Sequence, residues 1–218
     1  MNETTRILIV DDHPVVRLGI KQLISEEADL DVVEDAEGPQ DAMRKLAAGG
    51  IDMTIVDLSL TTGSGLELVG EIKRSYPDMP VLVLSMHDES LYAERALRSG
   101  ASGYVMKQAG TETLIKAVRR VLQGKIYLSD DMINSFLSKA SGRSKDENRI
   151  AIQNLSNREL EVFEQLGKGY GTKQVAEDLG LSVKTIETYR SNIKSKLGLT
   201  SSSQLLKEAA VWVNSLKE

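Results

Sequence analysis

Arg6-Ile7-Leu8-Ile9-Val10-Asp11-Asp12 is an apolar run that ends in two carboxylates. Short apolar runs bounded by polar turns are typical of buried parallel strands. Three more such runs end in a polar side chain: Met53–Val56 precedes Asp57, Val81–Leu84 precedes Ser85, and Tyr104–Met106 precedes Lys107. The four runs predict four strands, each with a functional group at its carboxyl end.

These carboxyl ends should meet at one edge of the sheet, where open α/β sheets bind ligands. Carboxylates are ligands that Mg²⁺ prefers, and a carboxylate can also accept a phosphoryl group. A lysine and a hydroxyl can stabilise the phosphoryl oxygens. A single acid at a strand end is usually a helix cap or a turn residue. Together, however, the groups predict a magnesium and phosphoryl site, formed by Asp11, Asp12, Asp57, Ser85 and Lys107.

Helical patterns alternate with the strands throughout residues 6–124. Pro14 and Pro39 stand where a first helical turn begins, and apolar residues recur at helical spacing after each strand. A weaker strand at Asp31–Glu34 completes five β/α units. This alternation predicts an α/β fold with a doubly wound, five-stranded parallel sheet in a first domain, residues 1–124.

Residues 125–152 predict a linker with a possible short helix. Met132, Ile133, Phe136 and Leu137 have amphipathic helical spacing, and a polar, breaker-rich stretch follows them. Such a stretch is typical of a flexible connection.

Residues 153–218 show no strand pattern and predict a separate all-α domain of four short helices. Ser156 with Glu159 fits a capping box, and N-caps are predicted at Thr172 and Ser182. Residues 174–179, a turn and residues 182–197 have the outline of a helix-turn-helix motif.

Composition excludes several other classes of protein. The 218 residues contain no cysteine, so neither a disulfide framework nor a cysteine-ligated zinc is possible, and the two histidines argue against a histidine metal site. No apolar stretch is long enough to span a membrane, and no secretion signal pattern is present, so a cytoplasmic location is expected.

The net charge of −5 argues weakly against nucleic-acid binding, but the charge is unevenly distributed along the chain. Residues 1–124 hold 20 acidic and 13 basic residues, whereas residues 153–218 hold 8 and 9.

Four segments resemble a response-regulator receiver domain in order and spacing: Ile9–Pro14, Asp57 with Gly65, Leu84–His87 and Gly103–Lys107. The resemblance covers residues 5–124 and implies a flavodoxin-like fold with Asp57 as phosphoacceptor. It implies that Mg²⁺ is held by Asp11, Asp12, Asp57 and the backbone carbonyl of Ser59. Ser85 and Tyr104 would act as the switch, and Lys107 would contact the phosphate. The usual donor in this family is a sensor histidine kinase.

The loop after Asp57 departs from the family pattern. Leu60-Thr61 stand where the family commonly has Met-Pro. Without the proline we expect a more mobile loop, and the family pattern no longer determines the loop geometry or the lifetime of the acyl phosphate. His87 is expected at the rim of the site, either solvated or tuning the attack of water on the phosphoryl group.

The second domain resembles the LuxR-type helix-turn-helix, and the whole chain resembles the NarL/FixJ class of response regulators. The segments that carry this resemblance are Leu155–Glu159, Gly167–Gly169, Lys173–Ala176, Leu181–Ile186 and Ser195–Gly198. Taken alone, a helix with one basic face is more often simply solvated. The resemblance implies major-groove contacts by Glu187, Thr188 and Ser191, and DNA backbone contacts by Lys184, Thr185, Arg190 and Lys194. It also implies a dimerisation surface on the last helix, with Leu205, Leu206, Ala209 and Val213. Packing within the domain accounts for some of these residues.

We interpret the chain as a two-component response regulator that is not an enzyme toward other substrates but assists its own phosphorylation and dephosphorylation. A sensor histidine kinase would phosphorylate Asp57, and a homodimer would then bind promoter DNA. The switch would act by receiver dimerisation or by release of a masked recognition helix. One alternative is a phosphorylation-switched protein-interaction regulator without DNA binding, which Glu187 slightly favours. A metal-dependent phosphatase is disfavoured because Leu58-Ser59 provides no second acid beside Asp57.

Overall fold

Five short strands form one parallel sheet in the first part of the chain. They are β1 (Thr5–Val10), β2 (Leu30–Ala36), β3 (Met53–Val56), β4 (Val81–Ser85) and β5 (Gly103–Met106). Their spatial order is β2-β1-β3-β4-β5, and every pairing is parallel. The computed structural model describes residues 4–140, 152 and 154–215, without the side chains of 139 and 140. The predicted five-stranded sheet is confirmed, and β2 is longer than the sequence pattern indicated.

Four helices connect the strands and a fifth follows β5: they are α1 (Pro14–Ser25), α2 (Pro39–Ala48), α3 (Gly65–Ser75), α4 (Glu89–Arg98) and α5 (Thr111–Leu122). β1 lies between β2 and β3, so the strand order reverses there. In doubly wound sheets the loops at such a point separate and leave a crevice at the carboxyl ends of the strands. Asp11, Asp12 and Asp57 follow β1 and β3 and are therefore placed at that crevice.

The core beneath the crevice is formed by strands that are buried on both faces. Ile7, Ile9 and Ile55 are at most 1% exposed and pack in one cluster with residues of α1 and α5. Fully burying an aliphatic side chain stabilises a fold by about 1.5–3 kcal/mol. This rigid layer fixes the strand ends and, with them, the positions of the functional groups.

The chain stays on the sheet after α5. Tyr127 forms a parallel bridge with Gly103 beside the edge strand β5, and α6 (Asp130–Ala140) follows. The amphipathic pattern at 132–137 lies within α6, where Met132 is 3% exposed. The first compact unit, Met1–Ser141, includes this helix. Most of the predicted flexible stretch lies outside the described residues.

The second compact unit contains four described helices: α7 (Asn157–Gly167), α8 (Thr172–Asp178), α9 (Val183–Lys196) and α10 (Ser202–Asn214). The capping box of Ser156 with Glu159 is confirmed, and so is the N-cap at Ser182. The N-cap predicted at Thr172 is wrong. Gly171 occupies that position, and the Thr172 hydroxyl instead accepts a hydrogen bond from Arg190.

A tight contact between α7 and α10 organises the second core. A Cβ atom at Gly167 would lie 2.4 Å from the carbonyl oxygen of Ala209, so only glycine permits this approach. The rings of Phe163 and Trp212 pack with their centroids 5.2 Å apart. The small core depends on these contacts to hold the helix-turn-helix pair, α8 and α9.

Candidate functional site

A buried ammonium joins two carboxylates at the carboxyl end of the sheet. Lys107 Nζ lies 2.6 Å from Asp11 Oδ2 and 2.7 Å from Asp57 Oδ2. Asp11 and Asp57 are only 1% and 2% exposed. Buried charges of this kind persist because they are paired. The structure therefore brings together three of the side chains that the strand ends predicted.

The third carboxylate is held by the loop that follows Asp57. Asp12 Oδ2 accepts hydrogen bonds from the backbone amide of Thr61, at 2.9 Å, and from the Thr61 hydroxyl. This loop forms a short antiparallel hairpin, in which Ser59–Leu60 pairs with Gly63–Ser64. Sequence reasoning missed both the hairpin and the role of Thr61. The residue that replaces the family's proline thus contacts the acid site directly.

Four side chains could hold a cation at this site. Asp11, Asp12, His13 and Asp57 each offer one ligand atom, and these atoms lie within 4.8 Å of one another. Asp57 Oδ1 is buried and has no hydrogen-bond partner among the described residues, and Asp12 Oδ1 lies beside the exposed ring of His13. An unpaired anionic oxygen next to further carboxylates fits a hard divalent cation such as Mg²⁺. His13 was not predicted here, and its Nδ1 lies 2.7 Å from Asp12 Oδ1.

The pKa values of Asp57 and Asp12 shift in opposite directions in this environment. Burial raises the pKa of Asp57, and the charge of Lys107 only partly opposes it. Burial also acts to raise the pKa of Asp12, but the hydrogen bonds from Thr61 outweigh it and hold that pKa below its usual value. The pKa of Lys107 is raised: burial acts to lower it, but the charge of Asp57 and the contacts with Asp11 outweigh that effect. The ammonium therefore stays charged between the carboxylates.

Gly65 explains why a glycine stands eight residues after Asp57. A Cβ atom there would lie 2.0 Å from the carbonyl oxygen of Asp57 and 2.6 Å from Cα of Leu58. The first turn of α3 therefore packs directly on the backbone that carries the acid. Only glycine permits this contact without moving Asp57.

The hydroxyl groups of Ser85 and Tyr104 meet at one backbone segment. Ser85 is fully buried, and its Oγ accepts a hydrogen bond from the amide of His87 at 3.2 Å. The Tyr104 hydroxyl, also buried, donates to the carbonyl oxygen of His87 at 2.8 Å. His87 is thus the common partner of both residues that were predicted to switch.

His87 also reaches the loop after Asp57. Its Nε2 lies 2.9 Å from Ser59 Oγ, and its ring packs 4.3 Å from that of Tyr92. The backbone of Ser59 acts to lower the pKa of Asp57, which places Ser59 beside the acid. The pair of His87 and Ser59 bridges the loops that follow β3 and β4.

The candidate recognition helix of the second unit is α9. Its side chains at Lys184, Glu187, Thr188 and Ser191 are exposed, whereas Thr185 and Lys194 are partly buried. Ile186 and Ile193 are fully buried and fix the helix to its unit. The exposed set lies along one face, as entry into a groove requires. Asn192 is also exposed and was not predicted.

Arg190 is placed differently from the other predicted DNA contacts. Its side chain is only 15% exposed. Its Nη1 donates to Thr172 Oγ1 at 2.5 Å and to Glu187 Oε1 at 2.9 Å. Arg190 therefore ties α9 to the start of α8 and holds the Glu187 carboxylate.

The residues predicted for dimerisation divide into two groups. Leu205 and Ala209 are fully buried and Val213 is 6% exposed, so all three face the core of their own unit. Leu206 is 42% exposed. The helical spacing that marked these residues reports a core-facing stripe, which is the commoner reason for such a pattern.

Models of two protein families match the two units. The response regulator receiver domain matches residues 7–119, and the bacterial regulatory proteins of the luxR family match residues 153–209. The chain belongs to the NarL/FixJ-class response regulators. This response regulator therefore has a receiver domain and a LuxR-type helix-turn-helix domain, as its sequence predicted.

Curated relatives extend the match over nearly the whole chain. The oxygen regulatory protein NreC of Staphylococcus carnosus is 38% identical over 209 residues, which are 94% of this chain and 96% of the relative. NreC of Staphylococcus aureus is 37% identical over 209 residues, which again cover 94% of this chain and 96% of the relative.

Solved structures of response regulators show the same fold. RcsB of Salmonella typhimurium is 26% identical with a TM-score of 0.68, and 98% of each chain is covered. RcsB bound to the promoter rprA in the presence of a beryllofluoride phosphomimetic is 27% identical with a TM-score of 0.62, over 95% of this chain and 99% of that one. None of the helices that the structure describes is long and apolar enough to cross a membrane.

Proposed function

We propose that this response regulator accepts a phosphoryl group on Asp57 and that the acyl phosphate switches its binding to promoter DNA. The observation that carries the proposal is the pairing of Asp11 and Asp57 through the buried Lys107. This arrangement provides a nucleophilic carboxylate beside a fixed positive charge. Phosphoryl transfer needs such positioning and charge neutralisation more than it needs covalent chemistry.

The transfer forms one bond, between Asp57 and phosphorus, and breaks one, between phosphorus and the donor. A carboxylate oxygen of Asp57 attacks the phosphorus of a phosphohistidine on a sensor kinase, and the P–N bond breaks as the imidazole leaves with its electron pair. Asp11, Asp12, Asp57 and the Ser59 carbonyl would hold Mg²⁺, which supplies charge neutralisation for the phosphoryl oxygens. Lys107 would keep one phosphoryl oxygen in place. In this sense the chain assists its own phosphorylation and dephosphorylation without acting on other substrates.

The kinase would dock on the apolar surface that flanks the site. Val15 and Leu18 on α1 are 81% and 69% exposed, and Met86 after β4 is 56% exposed. Met86 and Lys107 line one cavity of about 440 Å³ with residues of α1. A donor histidine has to approach Asp57 closely, so its helix would cover these side chains. We propose that the chain works in the cytoplasm, where such a kinase domain and DNA are both accessible.

The DNA interface would be the exposed face of α9. Glu187, Thr188 and Ser191 would face base edges, and Lys184, Thr185 and Lys194 would contact phosphates. RcsB, a solved structural relative, is bound to promoter DNA. Arg190, which was expected at the DNA backbone, would act mainly by holding Glu187. The carboxylate of Glu187 can accept from a cytosine amine but repels phosphate, so its position matters.

Pairing of two chains would strengthen this binding. A single module of this size buries little DNA surface, and two modules on two half-sites gain avidity. Dimers of RcsB are seen on DNA. On α10 the pairing surface would centre on the exposed Leu206, because Leu205, Ala209 and Val213 are occupied in the core. The proposed division remains a receiver at 1–124, a linker at 125–152 and a DNA-binding domain at 153–218.

The first test is selection of duplexes from a random pool by the full chain with Mg²⁺, with and without beryllofluoride. We expect a paired half-site that binds more tightly with the mimic. The Asp57→Ala variant should lose this response and keep basal binding, whereas Asp78→Ala, at an exposed acid away from the site, should behave as the unmodified protein.

The outcomes separate the two parts of the proposal. Equal enrichment with and without the mimic would preserve DNA binding and contradict the switch. No enrichment in any condition would favour a protein-interaction regulator instead. Glu187 and the small net charge of residues 153–218 are the features that favour this second candidate.

A further inference from the structure

The segment after α5 is attached to the receiver at the two elements that a switch would move. We call residues 126–132, between α5 and the first turn of α6, the strap. The backbone amide of Tyr104 donates to the carbonyl oxygen of Tyr127 at 2.9 Å, and the amide of Tyr127 donates to the carbonyl of Ser102 at 3.1 Å. The strap therefore covers the outer edge of β5 beside Tyr104.

The second attachment is on the first turn of α4. Glu89 is only 9% exposed, and its Oε1 accepts a hydrogen bond from the backbone amide of Ser129 at 2.9 Å. The Ser129 hydroxyl in turn accepts from the amide of Met132, at 3.1 Å, in the first turn of α6. A buried carboxylate that binds a backbone amide is a strong, directed contact. The start of α6 is thus anchored to α4.

Gly103 shows that the fit between strap and strand is close. A Cβ atom there would lie 2.9 Å from the carbonyl oxygen and 3.0 Å from Cβ of Tyr127. The strap therefore lies so close to β5 that a larger residue than glycine at position 103 would push against it. Met132 adds an apolar contact, since it is 3% exposed.

Both attachments connect to the acid site through one short segment. Ser85 accepts from the amide of His87, and the carbonyl of His87 accepts from Tyr104. The same segment leads directly into Glu89. Movement of the Ser85 hydroxyl toward a phosphoryl group on Asp57 would displace this segment, and with it both anchors of the strap.

We propose that the strap is a latch on the receiver, released when Asp57 carries a phosphoryl group. This inference rests on the proposed phosphorylation of Asp57 and adds to it the element that receives the signal. Release would free the start of α6 from α4 and from the edge of β5. Because the coupling is reciprocal, bound mimic and the attached strap must weaken each other by the same factor. A variant that weakens the strap should therefore bind the mimic more tightly.

Hydrogen exchange of the full chain tests the release directly. With Mg²⁺ and beryllofluoride, the amides of Tyr104, Tyr127 and Ser129 should exchange about tenfold faster than with Mg²⁺ alone, a typical size for coupling between sites. The fluorine NMR signal of bound beryllofluoride confirms occupancy in the same sample. A bound signal with unchanged or slower exchange would overturn the latch and leave the acceptor site intact. No bound signal would overturn the acceptor proposal, and the latch with it.

The matched variants are Glu89→Gln and Glu112→Gln. Each removes one charge from the first turn of a receiver helix, but Glu112 is exposed and makes no contact with the strap among the described residues. Glu89→Gln should speed exchange of the strap amides without the mimic and tighten beryllofluoride binding by a similar factor. Glu112→Gln should change neither.

A second variant weakens the strap by a different route. In Gly103→Ala the new Cβ atom would lie 2.9 Å from the backbone oxygen of Tyr127 and 3.0 Å from the end of the Leu82 side chain. Because the backbone of the strap has to shift, the variant should give the same two changes as Glu89→Gln. Equal or weaker beryllofluoride binding by both strap variants would contradict the latch, whatever their stability.

Discussion

The acid site of the receiver and the recognition helix α9 place their functional groups in opposite environments. Asp11 and Asp57 are almost fully buried and share Lys107, whereas Lys184 and Ser191 are exposed. Buried charges depend strongly on their partners, while exposed charges interact weakly through water. The stability of the acid site should therefore change strongly when its shared cation is removed, and the recognition helix should lose its contacts one at a time.

The largest expected effect comes from removing the shared ammonium. Lys107→Gln leaves Asp11 and Asp57 buried without their cation, so the free energy of unfolding should fall by about 3 kcal/mol in the presence of a chelator. Phosphoryl uptake from acetyl phosphate should be lost. Mg²⁺ should restore part of the stability, because it would neutralise the same carboxylates. Urea unfolding with EDTA or with Mg²⁺ measures these effects.

The control for this change is Lys116→Gln on α5, where the lysine is exposed. This substitution should change the free energy of unfolding by no more than about 0.5 kcal/mol. If Lys107→Gln were no more destabilising than this control, the two carboxylates would not depend on a common cation.

A smaller effect is expected from the backbone contact beneath the acid. Gly65→Ala would bring a Cβ atom to 2.0 Å from the Asp57 carbonyl, and such overpacking costs about 2 kcal/mol. Phosphoryl uptake should slow because Asp57 has to move. Gly70→Ala, on the same helix, meets only the end of the Arg74 side chain at 3.4 Å and should be neutral or slightly stabilising. Equal behaviour of the two variants would show that the Gly65 contact does not position Asp57.

The two acids should have opposite effects on stability. The raised pKa of Asp57 means that its charge opposes folding at neutral pH, so Asp57→Asn should stabilise the metal-free protein. That gain should shrink as the pH falls toward the unfolded value of 3.8. The lowered pKa of Asp12 means that Asp12→Asn should destabilise at neutral pH, with a loss that shrinks below 3.8. Urea unfolding between neutral and acidic pH measures both. If both substitutions changed the free energy of unfolding in the same direction, the opposite pKa shifts of Asp57 and Asp12 would be contradicted.

The smallest effect concerns the recognition helix. Ser182→Ala removes the hydroxyl that accepts from the Thr185 amide at 3.1 Å and should lower stability by about 1 kcal/mol. Ser191→Ala, on the exposed face, should leave stability unchanged and weaken selected DNA binding. Thermal unfolding and filter binding separate the two roles. A large loss of stability in Ser191→Ala would show that this face is part of the core.

The sequence was most informative where chemistry and periodicity coincide. The order of apolar runs predicted all five strands of the sheet, and three of the residues after those runs meet in one buried ion-pair cluster. The capping box at Ser156 was also predicted, because its partners lie within one turn. Short-range signals of this kind depend only on neighbouring residues.

Contacts between distant segments were not predictable in the same way. Thr61 binds Asp12 across 49 positions, and Ser129 binds Glu89 across 40. Neither pair belongs to a periodic pattern. The sequence also did not decide which residues of the last helix, such as Leu205 and Ala209, pack in the core, because a core-facing stripe and a dimer stripe have the same spacing.

By itself the sequence determined which groups this response regulator carries and at which strand ends they stand, because strand period and loop position are local properties. Only the tertiary structure decided which of those groups share partners. It assigned Lys107 to two acids, turned Arg190 toward Thr172 and Glu187, and attached the strap to β5 and α4. The physical reason is that a buried charge or amide must find a partner in space, and the fold determines which partner is near.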